Sequence, residues 1–252
     1  VTPPTPVRAG RLVRPAVALA VLTAASALLA AGGARAAPAP LVYVALGDST
    51  AAGQGGGPGG GYPPRLARRL EGAGLAVKLV NLGVPGATVA DLRRDQLPRA
   101  LDASPGLVTV GIGINDLVQG RPLRDFARDL EVVADFLRHT RAVVVISSLP
   151  DLGDSPSANG APAALTRRLD QYNAAIERVA ERHGFLVADA FGETRRTVKR
   201  LGAGAVFAAD GFHPSAAGYD AWTDALWRPV ERALGARLQG RRPPAPAAAG
   251  RP

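Results

Sequence analysis

Three residues of this 252-residue chain have the types and spacing for nucleophilic catalysis: Ser49, His213 and Asp210. A serine hydroxyl attacks a carbonyl only when a neighbouring base takes its proton. A carboxylate should in turn hold that base in the right tautomer. Asp210 and His213 stand three residues apart in the loop Asp210-Gly211-Phe212-His213-Pro214, so the carboxylate can fold back on the imidazole within one turn of chain. His139 and His183 differ: both fall near the C-terminal ends of expected helices, where a cation meets the helix dipole favourably, and they read as structural. An attacked carbonyl also needs preorganised donors for the developing oxyanion. Candidates are the Ser49 N–H at a strand-to-helix turn, the N–H of Gly86, where the absence of a side chain lets substrate approach, and the Asn115 side-chain amide.

The elements between these residues must bring them to one place. Short apolar runs at 41–46, 76–82, 107–112, 142–147 and 185–188 read as strands. Between them lie helical patterns. One covers 63–71. A second is capped by Thr88, contains Val89 and Leu92, and should end near Leu97 because Pro98 follows. A third begins after Pro122, with Phe126, Leu130, Val133 and Phe136 expected to face inward. The fourth, 165–182, turns Leu169, Tyr172, Ile176 and Val179 to the core, and further helices are expected over 194–201 and 215–238. Strands alternating with helices predict an α/β fold with a mostly parallel sheet covered on both faces. Ligands in such sheets bind beyond the carboxyl ends of the strands. Gly47-Asp48-Ser49-Thr50, the segment 81–88, the segment 113–116 and the Asp210–His213 loop should therefore share one edge.

These four motifs, in this order, resemble the SGNH hydrolase superfamily, the GDSL-type esterases and lipases. The matches are Gly-Asp-Ser at 47–49, Gly86 in Pro-Gly-Ala-Thr, Gly-x-Asn-Asp at 113–116 and Asp-x-x-His at 210–213. The resemblance implies a three-layer α/β/α fold with a flavodoxin-like, five-stranded sheet. It also implies ester or thioester hydrolysis through a covalent acyl-enzyme, with no cofactor and no metal. Carried over, Ser49 is nucleophile and first oxyanion donor, Gly86 and Asn115 complete the hole, His213 is general base and then acid, and Asp210 orients it. Gly83 competes with Gly86 for the second donor; the Ala87-Thr88 that follows Gly86 favours the latter. Thr50 departs from the Leu that often follows the serine. An O-acyltransferase acting on cell-envelope sugars, and an inactive secreted binding protein, are the alternatives on the same fold.

Other chemistries fit less well. The run Gly53–Gly61 lacks the Gly-Lys-Ser/Thr ending of a phosphate loop and reads as a mobile, small-residue rim to the site. Position 51 is Ala, so Ser49 is not on a Gly-x-Ser-x-Gly elbow. Asp151 and Asp154 read as a turn and are assigned no metal. The chain has no Cys, hence neither disulfide nor thiolate chemistry.

Net charge is +9, but four arginines (Arg8, Arg11, Arg14, Arg35) precede residue 37 and three (Arg241, Arg242, Arg251) follow residue 239, with no acidic residue in either segment. The body between carries only two net charges, mixed in sign along its helices, so no nucleic-acid partner is expected. Three arginines, an apolar run over 16–31 and Ala34-Arg35-Ala36 read as a signal peptide over 1–36. The expectation is a secreted or periplasmic protein, not inserted in a membrane once the signal is cleaved; an uncleaved membrane anchor is the lesser alternative. Its hydrolase domain would span 37–239, followed by a Pro/Ala-rich disordered tail at 240–252. The expected partner is an ester of a small molecule, lipid or acylated saccharide, and a monomer is the default state.

Overall fold

The computed structural model describes residues 39–158 and 162–239; the expected signal segment and tail lie outside them. From Pro40 onward the described residues form one compact unit. Strand β1 (Leu41–Gly47) is an almost continuous buried apolar run, as a strand covered on both faces must be. A single helical turn, α1 (Ser49–Ala52), follows it, and then α2 (Tyr62–Gly72) and the edge strand β2 (Val77–Asn81). Segment α3 (Val89–Asp91) opens a helix that continues through a π turn (Leu92–Gln96) into α4 (Leu97–Asp102). Next come β3 (Leu107–Gly111), α5 (Ile114–Val118), α6 (Leu123–Leu137) and β4 (Val143–Ser147). The chain closes with α7 (Pro162–His183), β5 (Leu186–Ala188), α8 (Ala190–Leu201), α9 (Ala203–Val206) and α10 (Ala216–Gln239).

The five strands are all parallel, in the order β2-β1-β3-β4-β5. This is the flavodoxin-like order, with its switch point between β1 and β3. Period-two alternation sends Val44, Leu46, Val108 and Val110 to one face, where they pack with residues of α3, α4, α6 and α7. Tyr43, Ala45, Leu107 and Val145 go to the other, against α2 and α10. Pairing of Gly47 with Gly111 ends β1 and β3 at one level, so Ser49 and Asn115 emerge from the same edge of the sheet.

Three expected details of the helices are corrected. Pro98 does not end the helix that Thr88 caps. The π turn makes Leu97–Asp102 a fresh helical segment with Pro98 in its first turn, where no N–H is required of it. Phe136 is 51% exposed, and Leu137 takes the buried place. A 3.6-residue repeat from Phe126 through Leu130 and Val133 reaches its next inward position at 137, not 136. The helix expected at 194–201 starts earlier, at Ala190, because Asp189 caps it by accepting the Gly192 N–H at 2.7 Å.

Candidate active site

The surroundings of the candidate nucleophile, Ser49, are built from the core outward. Asp48 caps α1, its Oδ1 accepting the Thr50 N–H at 2.9 Å and the Thr50 hydroxyl at 2.8 Å. Thr50, the departure noted in the sequence, thus gives the buried Asp48 a second donor. Burial pushes the Asp48 carboxyl up to about 6, against the opposing pull of those two bonds. Ser49 occupies the first position of the turn, where a helix leaves its N–H groups unclaimed, and no acceptor among the described residues takes its amide.

The candidate base, His213, comes from the loop before α10. The Ser49 Oγ and His213 Nε2 lie 3.0 Å apart, and His213 Nδ1 lies 2.6 Å from Asp210 Oδ2. Asp210 Oδ1 also accepts the N–H groups of Phe212 and His213, both at 3.0 Å. Desolvation alone would raise the Asp210 carboxyl; the two amides and the imidazole outweigh it and hold the group at about 2. The Phe212 ring stands edge-on to the imidazole, centroids 5.0 Å apart. Phe207 and Pro214 pair in a short antiparallel bridge, and the Ala208 N–H donates to the His213 carbonyl at 2.8 Å, closing the loop at its base.

The two candidate glycines separate on geometry. The Gly83 N–H already donates to Asn81 Oδ1 at 3.1 Å, and a Cβ there would lie 2.6 Å from that of Ala51. Gly83 is needed for close packing under α1. Gly86 has φ +80°, a conformation that favours glycine; a Cβ there would meet open space, and no described acceptor takes its N–H. Asn115 donates one amide hydrogen to the Ala87 carbonyl at 2.9 Å, which leaves its second hydrogen and fixes the side chain beside the Gly86 segment. Its neighbour Asp116 is buried. It accepts the Val89 N–H at 3.0 Å and pairs with Arg121 at 2.5 Å, pinning the Asn115 turn to the start of α3.

The glycine-rich run, expected as a mobile, small-residue rim, is tied down by hydrogen bonds from neighbouring side chains. Gly57–Gly59 forms a 3₁₀ turn, Arg65 donates to the carbonyls of Gly56 and Gly60, and Arg68 donates to that of Gly59. The Tyr219 hydroxyl binds the Gln54 carbonyl at 2.7 Å. Here glycine permits close packing: a Cβ on Gly55 would lie 3.1 Å from that of His213. The run backs the His213 loop.

The other residues singled out behave as expected. His139 Nδ1 meets the Asp135 carbonyl at 2.7 Å, and His183 Nε2 meets Glu131 at 2.7 Å. Asp151 accepts the Gly153 N–H at 2.9 Å, a turn bond. Sequence reasoning missed Asp48 and Asn81, whose side chains tie α1 to its surroundings, and Gln96. Asp48 carried a signal, an Asp directly before a helical turn; Gln96 carried none, because the helix was expected to stop beside it.

The chain is similar to known proteins in sequence and in fold. The profile of the GDSL-like Lipase/Acylhydrolase family matches residues 45–221. An acetylxylan esterase of Geobacillus stearothermophilus is 29% identical over 154 residues, 58% of this chain and 68% of that protein. Among solved structures, an acetyl xylan esterase variant from the same organism superposes with a TM-score of 0.65 at 21% identity, over 75% of this chain and 94% of its own. LAE5, an alpha/beta hydrolase from the metagenome of Lake Arreo, Spain, gives 0.64 at 25% identity, over 76% and 95% of the two chains. TesA gives 0.62 at 23% identity, over 76% and 98%. No helix among the described residues is long and apolar enough to cross a membrane. With a parallel flavodoxin-like sheet and a family match running from β1 into α10, the chain belongs to the GDSL-like lipase/acylhydrolase family and is a carboxylic ester hydrolase.

Proposed function

We propose that the protein cleaves its ester in two steps through an acyl-enzyme on Ser49. The Ser49 oxygen attacks the carbonyl carbon while His213 Nε2 takes the hydroxyl proton. As the tetrahedral intermediate collapses, His213 returns that proton to the departing alcohol. Water, deprotonated by the same nitrogen, then releases the acid and restores Ser49. Asp210 orients the imidazole and stabilises the imidazolium. The Ser49 and Gly86 amides and the Asn115 side chain stabilise the oxyanion. The observation that carries the reading is the unbroken line of contacts Ser49–His213–Asp210 at 3.0 and 2.6 Å.

The substrate we favour is a short acyl group on a polar alcohol such as a saccharide. A cavity of about 300 Å³ borders Gly86, and beside Val84, Pro85 and Ala87 its wall carries Asp91, Arg94 and Asp95, groups suited to saccharide hydroxyls. The likeness to an acetylxylan esterase points the same way. We also infer export, from the arginines and apolar run within 1–36. Hydrolysis of p-nitrophenyl esters from acetyl to palmitoyl, with Ser49→Ala as control, tests the core of this reading. Serine-dependent turnover falling steeply beyond short chains is expected. Turnover that survives Ser49→Ala would overturn the mechanism, and a long-chain optimum would overturn the substrate class.

A further inference from the structure

We propose that Gln96 is a positioning residue that holds the two backbone halves of the oxyanion hole in register. The proposal rests on the acyl-enzyme reading above. β2 stays paired with β1 only as far as Ala45 opposite Asn81, after which Leu82 donates to the Ala45 carbonyl and the strand leaves the sheet. At Gly47, the last residue of β1, the carbonyl still meets the Val84 N–H, but the N–H would otherwise have no acceptor on the departing segment. A buried peptide group without partners is costly.

The carboxamide of Gln96 fills that place. Its Oε1 accepts the Gly47 N–H at 2.9 Å, and its Nε2 donates to the Gly47 carbonyl at 2.8 Å. A primary amide has the donor and acceptor of a peptide unit side by side, so the side chain acts as one residue of the missing strand. Gln96 is 1% exposed. It is the last residue of the π turn, and the extra residue in that turn sets the rotation that sends its side chain toward Gly47. Single π turns recur at functional sites.

The same Gly47 carbonyl also accepts the Val84 N–H at 3.1 Å. Gly86 lies on the segment between Val84 and Gln96, so both ends of the segment carrying one amide donor are fastened to one carbonyl. On the other side, the peptide plane of that carbonyl fixes the Asp48 nitrogen, one residue before Ser49 and its N–H. Gln96 therefore sets the placement of the Gly86 amide relative to the Ser49 amide. An apolar residue of the same length would fill the space and lose that control.

The test compares wild type, Gln96→Met, Gln96→Glu and Ser49→Ala on p-nitrophenyl acetate, well below each melting temperature and per active site titrated with a serine-reactive phosphonate. Gln96→Met should lower kcat on the order of 10–100-fold, the scale of an ångström-level misplacement, while KM stays within about threefold. A protonated Glu offers the same donor and acceptor as Gln, and burial raises its pKa. The activity of Gln96→Glu relative to wild type should thus be highest at low pH and fall as pH rises. This readout holds even if Gln96→Met does not fold. Wild-type kcat per titrated site in Gln96→Met, or a pH-independent ratio for Gln96→Glu, would overturn the proposal while serine-dependent turnover left the mechanism intact. Serine-independent turnover would overturn the mechanism and this proposal together.

Discussion

Ser49 and His213 meet at one hydrogen bond, yet the molecule holds them by opposite means. Ser49 hangs from a central, fully covered strand, and its neighbour Asp48 is sealed in the core. His213 sits in a loop whose carboxylate, Asp210, is 45% exposed, and backbone amides do the holding. The carboxylates respond accordingly. Burial lifts Asp48 to about 6, whereas the amides and the imidazole bring Asp210 down to about 2. Packing makes the seat of the proposed nucleophile rigid; electrostatics keeps Asp210, the carboxylate proposed to orient the base, charged well below neutral pH. Replacing a group on one side should therefore cost activity, and on the other should change stability.

The largest effect is expected where the two halves join. Asp210→Asn keeps the shape of the loop and removes the charge, so the imidazole loses its tautomer control and the stabilisation of its cation. We expect kcat to fall on the order of 10³–10⁴-fold, with KM little changed. Steady-state kinetics on a short-chain ester checks this; a loss below tenfold would mean that the charge of Asp210 is not needed to orient His213. Asn115→Ala should cost about 10²–10³ in kcat through the lost oxyanion donor. A comparable loss in KM instead would show that Asn115 holds the ground state.

How much of this arrangement was legible in the sequence follows the same division. That Asp210 and His213 could meet is readable from their three-residue spacing, and the order of the four motifs singles out Ser49. The parallel sheet could be read from the alternation of apolar runs with helical repeats. Gly86 could not be told from Gly83 with certainty, since the difference lies in what surrounds each backbone: Ala51 crowds one and open space faces the other. The glycine-rich run misled because its ordering depends on Arg65 and Arg68, which α2 turns back onto it, and on Tyr219, distant in sequence and brought near by α10. Gln96 was invisible because a π turn leaves no periodic signature and Pro98 argued for a helix end.

The buried carboxylate gives the next prediction, on stability. An Asp with a folded-state value of about 6, against 3.8 for the ordinary group, binds a proton in the folded chain that the unfolded chain has released. Its contribution to stability is therefore greatest below pH 3.8, declines as pH rises to about 6, and is level above that. Asp48→Asn retains an oxygen to cap α1 and removes the buried charge. At pH 7–8 it should be more stable than wild type, by up to about 3 kcal/mol. Urea unfolding at several pH values checks this. The decline between pH 4 and 6 that Asp48 contributes should vanish in the variant; an unchanged slope would show that Asp48 is not the group responsible, and the contrast with Asp210 would fail.

The smallest expected effect tests how the exposed side is braced. Tyr219→Phe removes only the hydroxyl that binds the Gln54 carbonyl at 2.7 Å, one residue before the Gly55 that packs on His213. The ring stays buried and its stem unchanged. Gln54 is exposed, so water replaces the lost donor at the carbonyl and the net cost is about 1 kcal/mol or less. That corresponds to a fall of about 2–4 °C at most in Tm for a domain of this size. If the glycine-rich run backs the base, kcat should also drop, by a few-fold, because a loosened Gly55 lets the imidazole depart from its line with Ser49. Thermal melting and kcat measured together decide the point. A lower Tm with wild-type kcat would assign the bracing to the Arg65 contacts, whereas a lower kcat with an unshifted Tm would show that the base is tuned by this one bond without any larger change in the fold.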